Sequence, residues 1–169
     1  MITTTLNRIR AHGLHADGWQ KLLAHLGKTC ADEPLPFSVI LEATGLDNAL
    51  LCCQAEPQYA REWRLFAVWC ARRVQHLMSD RRSIDALDVA ERYATGQATD
   101  AELETAWAAA GGAWAAAGDA GDAARDAAWD AAWAAAWDAG EAWVAAWAAE
   151  QAAQTAEFLR VITETEERQ

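Results

Sequence analysis

The sequence predicts an all-α protein, and three observations carry that expectation. Its only three prolines lie between Pro34 and Pro57, so most of the chain is free of the residue that breaks helices. No turn dipeptide flanked by alternating β-branched residues announces a hairpin. From Ala101 to Glu157, alanine fills about half the positions, and alanine is the strongest helix former. Conventional helix lengths joined by short loops then imply antiparallel neighbours, as in a bundle or short solenoid.

The elements follow in order. Asp17 is placed to cap "GWQKLLAHL", which Gly27 closes. "ADEPLP" reads as a loop, and Pro36 opens "FSVILEAT", closed by Gly45. Asp47 is placed to cap "NALLCCQAE". Pro57 can start the longest conventional helix, "QYAREWRLFAVWCARRVQHLM", on which Trp63, Phe66, Cys70, Val74 and Leu77 make one apolar stripe. Ser79 or Asp80 begins a further helix through Tyr93, stopped near Gly96. Thr99 and Glu102 have the spacing of a capping box and launch the alanine-rich part. The chain therefore divides into a helical module, residues 1–97, and an Ala/Trp-rich helical arm, residues 98–169. Its last residues, "TETEERQ", lack an apolar anchor and are expected to fray.

The arm holds the feature that stands out, "DAARDAAWDAAWAAAWDAGEAWVAAWAAE". At about 100° per residue, with Trp129 at zero, Trp133 falls near 40°, Trp137 near 80°, Trp143 near −40° and Trp147 near 0°. Continued unbroken, this is one long amphipathic helix whose apolar face is tryptophan set among alanine, with Phe158, Val161 and Ile162 extending it. Gly140 falls inside the face, where a missing side chain leaves room for a neighbour's knob. Upstream, Leu103, Trp107 and Trp114 form a shorter stripe. Gly118 and Gly121 suggest a turn between the two stripes; the alternative is one continuous rod. The face itself has three readings: internal core, self-association surface, or a site for a partner protein or planar ligand.

Charge is unevenly placed. Residues 1–100 carry 11 Lys+Arg against 12 Asp+Glu, and residues 101–169 carry 3 against 13. Such an acidic half disfavours nucleic acid and anionic membrane, which need clustered Lys and Arg. It suits a basic protein surface, or simply keeps an apolar rod in solution. No apolar run reaches the length of a membrane span, roughly 18 residues or more, and the N-terminus lacks a signal-peptide core. A cytoplasmic protein is expected, with Cys30, Cys52, Cys53 and Cys70 as small buried thiols.

Catalytic patterns are scarce. His12, His15, His25 and His76 show no metal-binding spacing, and neither a phosphate-cradling glycine loop nor a nucleophile motif occurs. Asp80, Asp85, Asp88 and Glu91 interleave with Arg81, Arg82 and Arg92, as on a salt-bridged solvent face. Arg61, Arg64, Arg72 and Arg73 give the long helix a basic flank that can dock on the acidic half of its own chain or a neighbour's. No catalytic residue, metal or cofactor is expected.

From Pro34 to Trp107 the chain resembles the immunity-five-like family of immunity proteins, encoded in bacterial and bacteriophage genomes. The pieces that carry the resemblance are "ILEATGLDNAL", "RLFAVWCARRVQHLM" and "ALDVAERYATGQATDAEL", followed by an Ala-rich tail. The resemblance implies an all-α fold and neutralisation, in a bacterial cell, of a toxin or defence effector by direct binding. The tail departs from the family in its density of tryptophan and its interrupting glycines. The leading expectation is thus a non-enzymatic inhibitor that binds a protein. The alternative is an oligomeric module that holds a small planar ligand, such as a nucleotide, in Trp-lined pockets. Trp107, Trp114, Trp129, Trp133, Trp137, Gly140, Trp143 and Trp147 are the expected binding or assembly residues. Five tryptophans from Trp129 to Trp147 exceed what one antiparallel partner helix covers, so a homo-oligomer is expected, kept closed by the acidic charge of the arm.

Overall fold

A computed structural model describes residues 1–12, 15–27, 32–110 and 120–164. The chain is all-α among them, apart from one two-residue pairing: β1 (Thr3–Thr4) lies antiparallel to β2 (Leu35–Pro36). β2 falls within the stretch expected to be a loop. The pairing ties the N-terminus to the start of the helical core, with Phe37 N donating to Ile2 O at 3.1 Å.

The first half is a run of short helices: α1 (Leu6–His12), α2 (Ala16–Leu26), α3 (Phe37–Thr44) and α4 (Leu46–Leu51). Pro36 precedes α3 and Gly45 follows it, as expected. Gly27 closes α2 in the left-handed conformation, φ 56°, which glycine adopts without a Cβ penalty. Two expected caps move. His15, not Asp17, precedes α2, and Asp17 sits in its first turn, paired with Lys21 at 2.7 Å. Asp47 likewise lies inside α4, which starts directly after Gly45; its carboxylate accepts instead from Arg125 at 2.9 Å. In both cases the carboxylate still favours the positive end of the helix.

The long helix expected from Pro57 is divided. A 3-10 turn at Pro57–Tyr59 leads into α5 (Ala60–Arg73), and a second at Gln75–Leu77 follows it. Trp63, Phe66, Cys70 and Val74 of the expected stripe are buried, while Leu77 is only partly so. α6 (Arg81–Ala94) is capped by Asp80, whose carboxylate accepts from Arg82 N. α7 (Asp100–Ala109) opens on the complete Thr99/Glu102 capping box. It packs on α6, and Ala110 ends it in a non-helical conformation. Gly118, half of the turn expected in the arm, lies outside the described residues. Gly121 is inside α8 (Ala120–Asp138).

The largest departure concerns the arm. The stretch read as one helix is two: α8 ends at Asp138, a 3-10 turn spans Gly140–Ala142, and α9 (Trp143–Glu164) returns along α8. Gly140 has φ +56°. It is therefore the reversal point of a helical hairpin, not a contact centre on a continuous face. The return is antiparallel: Trp147 meets the Trp129 and Trp133 rings, and further on Gln154 Nε2 donates to Ala128 O at 2.8 Å.

The hairpin also buries the opposite face from the one the tryptophan stripe suggested. On α8 the buried side chains are Ala124, Ala127, Ala128, Ala131, Ala132 and Ala136. Ala124, Ala127, Ala128 and Ala131 lie roughly a third to a half turn from the tryptophans, and Ala132 and Ala136 lead round towards them. α8 runs along α5 in the most extensive helix contact of the fold. The α5 and α8 backbones lie close along their length, so only small side chains fit between them, while Trp63 and Phe66 of α5 pack on Phe158 of α9. Phe158 and Ile162 of α9 complete the same core. Phe158 packs against Phe37, Trp63 and Phe66, and Ile162 O accepts from Ile2 N at 2.8 Å. One apolar cluster thus takes residues from both sides of the expected boundary at residue 97. α8 and α9 are part of that core rather than an appendage.

This inversion makes an unusual stability pattern. Ala131→Leu is expected to cost about 1–3 kcal/mol by overpacking, whereas Trp133→Ala should stay within roughly 0.5–1 kcal/mol, as for a surface change. Urea denaturation of the two variants measures the contrast. Gly140→Ala meets no atom within 4 Å of its new Cβ, so its cost should be the left-handed backbone alone, about 1–2 kcal/mol.

Candidate functional site

The hairpin brings the tryptophans of α8 and α9 to one end of the molecule. Trp129, Trp133, Trp137 and Trp143 are 54%, 53%, 78% and 51% exposed. Trp147 is half-buried and holds the group together, edge-on to Trp129 at 5.2 Å and to Trp133 at 6.3 Å between ring centroids. Trp133 and Trp137 lie near-parallel at 6.4 Å, 24° apart, one helical turn from each other. Between the two arms of the elbow, Trp133, Ala136, Trp137, Gly140 and Trp143 line a cleft of about 340 Å³. Val144, 63% exposed, extends the apolar surface.

Of the residues expected to bind, Trp129, Trp133, Trp137, Trp143 and Trp147 are joined here, with Gly140 shaping the elbow. Trp107 is elsewhere, half-buried beside Leu87 and Leu103 in the α6–α7 region. Trp114 lies outside the described residues. At roughly 150–250 Å² per indole, the four outer tryptophans together expose on the order of 350–600 Å², the scale of a monomer's largest apolar patch.

Charge around the patch has one sign. Asp126, Asp130, Asp138 and Glu141 are exposed, and no Lys or Arg occurs from residue 126 to residue 149. Among the described residues none of these four carboxylates makes an ion pair. Partial burial, and then the neighbouring Asp126, raise the Asp130 carboxyl above its ordinary range. Arg125, at the edge of this stretch, is held by Asp47.

Elsewhere the charges are matched. Arg73 makes a two-pronged contact with the buried Glu150 carboxylate, 2.8 and 2.9 Å, and lies over the Trp69 ring at 5.0 Å. Among the described residues it is the arginine of the basic flank that pairs with a carboxylate of the acidic half. Arg72 instead spans to Asp88 and Glu91 on α6, and Arg64 lies over Tyr93. The α6 face is the ion-paired surface its sequence suggested, with Arg81–Asp85 and Arg82–Asp80 both at 2.8 Å. A second cleft, about 300 Å³, carries Arg61, Arg72 and Arg160. Each of these guanidiniums already faces a carboxylate, so the cleft offers an anion little net charge.

The Cys52 and Cys70 thiols are unsuited to nucleophilic work. Burial pushes Cys52 up to about 12, and burial together with Glu150 raises Cys70 as well. Cys30 lies outside the described residues. No group of three or more His, Cys, Asp or Glu among the described residues is placed to hold a metal ion, and none of their helices is long and apolar enough to cross a membrane. Compared with protein-family models, curated proteins and solved structures, the chain shows no significant match.

Sequence reasoning found the tryptophans but missed the elbow that assembles them. Its signal was the six-residue gap between Trp137 and Trp143, with Gly140 after the acidic Asp138. That pattern fits a helix C-terminus as well as a phase correction. The Arg73–Glu150 pair sets the angle at which the hairpin seats on α5. Arg73→Ala leaves a buried carboxylate behind and is expected to cost about 2 kcal/mol, below the fully buried value because Arg73 is itself 39% exposed. Arg73→Lys should recover only part of this, because a lysine cannot make the two-pronged contact. Chemical denaturation of both variants checks the ordering.

Proposed function

We propose that this chain is a non-enzymatic binding protein that acts by direct association with a basic protein effector, meeting it with the tryptophan surface of the α8–α9 elbow. One observation carries the proposal. α8 buries its alanines and leaves large indoles in water, with Trp137 at 78% exposure. Exposed indoles are costly to solvate and are enriched where proteins bind one another.

The partner's charge follows from the surround. Four carboxylates with no cation partner among the described residues favour a surface that supplies Arg and Lys. A second copy of the chain fits less well, since the same carboxylates would face each other across a symmetric contact. A nucleotide or nucleic acid fits less well again, because phosphate finds no Lys or Arg between residues 126 and 149. The resemblance of Pro34–Trp107 to immunity proteins supports the same class of action inside a bacterial cell, the neutralising of a toxin or defence effector. On this reading the helices up to α7 are scaffold, and the elbow is where this chain has its own specificity.

The test begins with capture from bacterial lysate, identification of the retained protein by mass spectrometry, and reconstitution of the complex from purified components. A basic partner should bind with its affinity reduced about 30-fold or more by Trp137→Ser, as for a central aromatic contact. Unchanged affinity of Trp133→Ser and Trp137→Ser variants overturns the assignment of this surface. Light scattering of the chain alone should give a monomer mass. A dimer abolished by the same substitutions assigns the patch to self-association and also overturns it.

A further inference from the structure

We propose that the elbow cleft is a cage for a single cationic side chain of the partner, an arginine or lysine seated against Trp133, Trp137 and Trp143. This rests on the reading of the patch as a protein contact and names the chemistry that the contact selects.

The cleft has the walls such a group needs. Three of its lining residues are tryptophans, the strongest π partners for a cation, and Ala136 and Gly140 keep its floor free of bulk. Its volume, about 340 Å³, leaves room for a guanidinium together with its methylene stem. Its lining holds no carboxylate, but exposed acidic residues adjoin the lining residues in the chain. Asp130 lies three residues before Trp133 and seven before Trp137, on one side of α8. Asp138 and Glu141 flank Gly140 at the turn itself.

Among the described residues the site has no cation of its own. Elsewhere the same fold lays arginines over its rings, Arg73 on Trp69 at 5.0 Å and Arg64 on Tyr93 at 5.1 Å. At the elbow, rings line the cleft and exposed carboxylates adjoin them in the chain, while the nearest arginine in sequence, Arg125, is engaged by Asp47 at 2.9 Å. A neutral planar ligand would use the rings but leave the carboxylates unmatched, and an anion would be repelled by them. A guanidinium or ammonium satisfies both.

The test is a titration of the purified chain with N-acetyl-arginine methylamide, followed through the indole N–H signals in a nitrogen-labelled sample. The uncharged citrulline analogue serves as the control, since it keeps the shape and loses the charge. Saturable shifts confined to Trp133, Trp137 and Trp143 are expected, with an apparent Kd of about 10 mM for so small a probe. The citrulline analogue should bind at least about fivefold more weakly, and Trp137→Leu should weaken the arginine probe by a similar factor. Trp137 is mostly exposed, so the variant should fold normally, which its circular dichroism spectrum verifies. Equal response to the two probes, or shifts spread evenly over Trp129 and the other exposed indoles, overturns the cage. If the partner complex still depends on Trp133 and Trp137 while the probes show no charge preference, the protein-contact reading stands and the cage alone is overturned.

Discussion

α8 can lie against α5 only because its buried side carries nothing larger than a methyl group. The two backbones lie close along their length, and an interior at crystal-like packing density leaves no room for a layer of indoles between them. Every other feature of the second half follows from that constraint. With alanine turned inward, the large residues of α8 have only the outer face left. The apolar burial that stabilises the hairpin is then supplied by α9, whose Phe158 and Ile162 reach the same core from the far side. The tryptophans are free of a structural duty that the composition first suggests for them.

The polar contacts of the hairpin serve orientation. Glu150 and Gln154 are buried on α9, and both are satisfied: Glu150 by Arg73 of α5, Gln154 by the Ala128 carbonyl of α8. A buried carboxylate has few acceptable geometries, so this pair sets the register of α9 against two helices at once. Gly140 supplies the reversal, and the elbow it makes brings Trp143 alongside Trp133 and Trp137. The surface is therefore built by the core: a shift of α9 by one helical turn would scatter the rings.

Much of the fold was legible from sequence, because it is written in local signals. The Thr99/Glu102 capping box, the Asp80 cap, the Pro36 start and the glycine stops at Gly27 and Gly45 all act within one turn of the chain. The direction in which the arm faces is another matter. Periodicity marks that α8 has two unlike faces, and hydrophobicity scales assign the tryptophan face to the core. Which face is buried depends on how closely α5 approaches, a tertiary fact carried by residues some sixty positions away. The elbow was missed for a related reason. A glycine within alanine-rich sequence is compatible with a continuous helix, and only the packing of α9 on α8 selects the break. Of the site residues, those on α8 and α9 were recognised by type, while the role given to Gly140 changed from contact to hinge.

The account turns on the claim that the isolated chain buries alanine and presents tryptophan. Oxidative footprinting of the purified protein in dilute solution, read residue by residue by mass spectrometry, tests it most directly. The account predicts fast modification of Trp137, intermediate rates for Trp129, Trp133 and Trp143, and protection of Trp63, in a species that sediments as a monomer. Protection of Trp133 and Trp137 to the level of Trp63 in that monomer would contradict it.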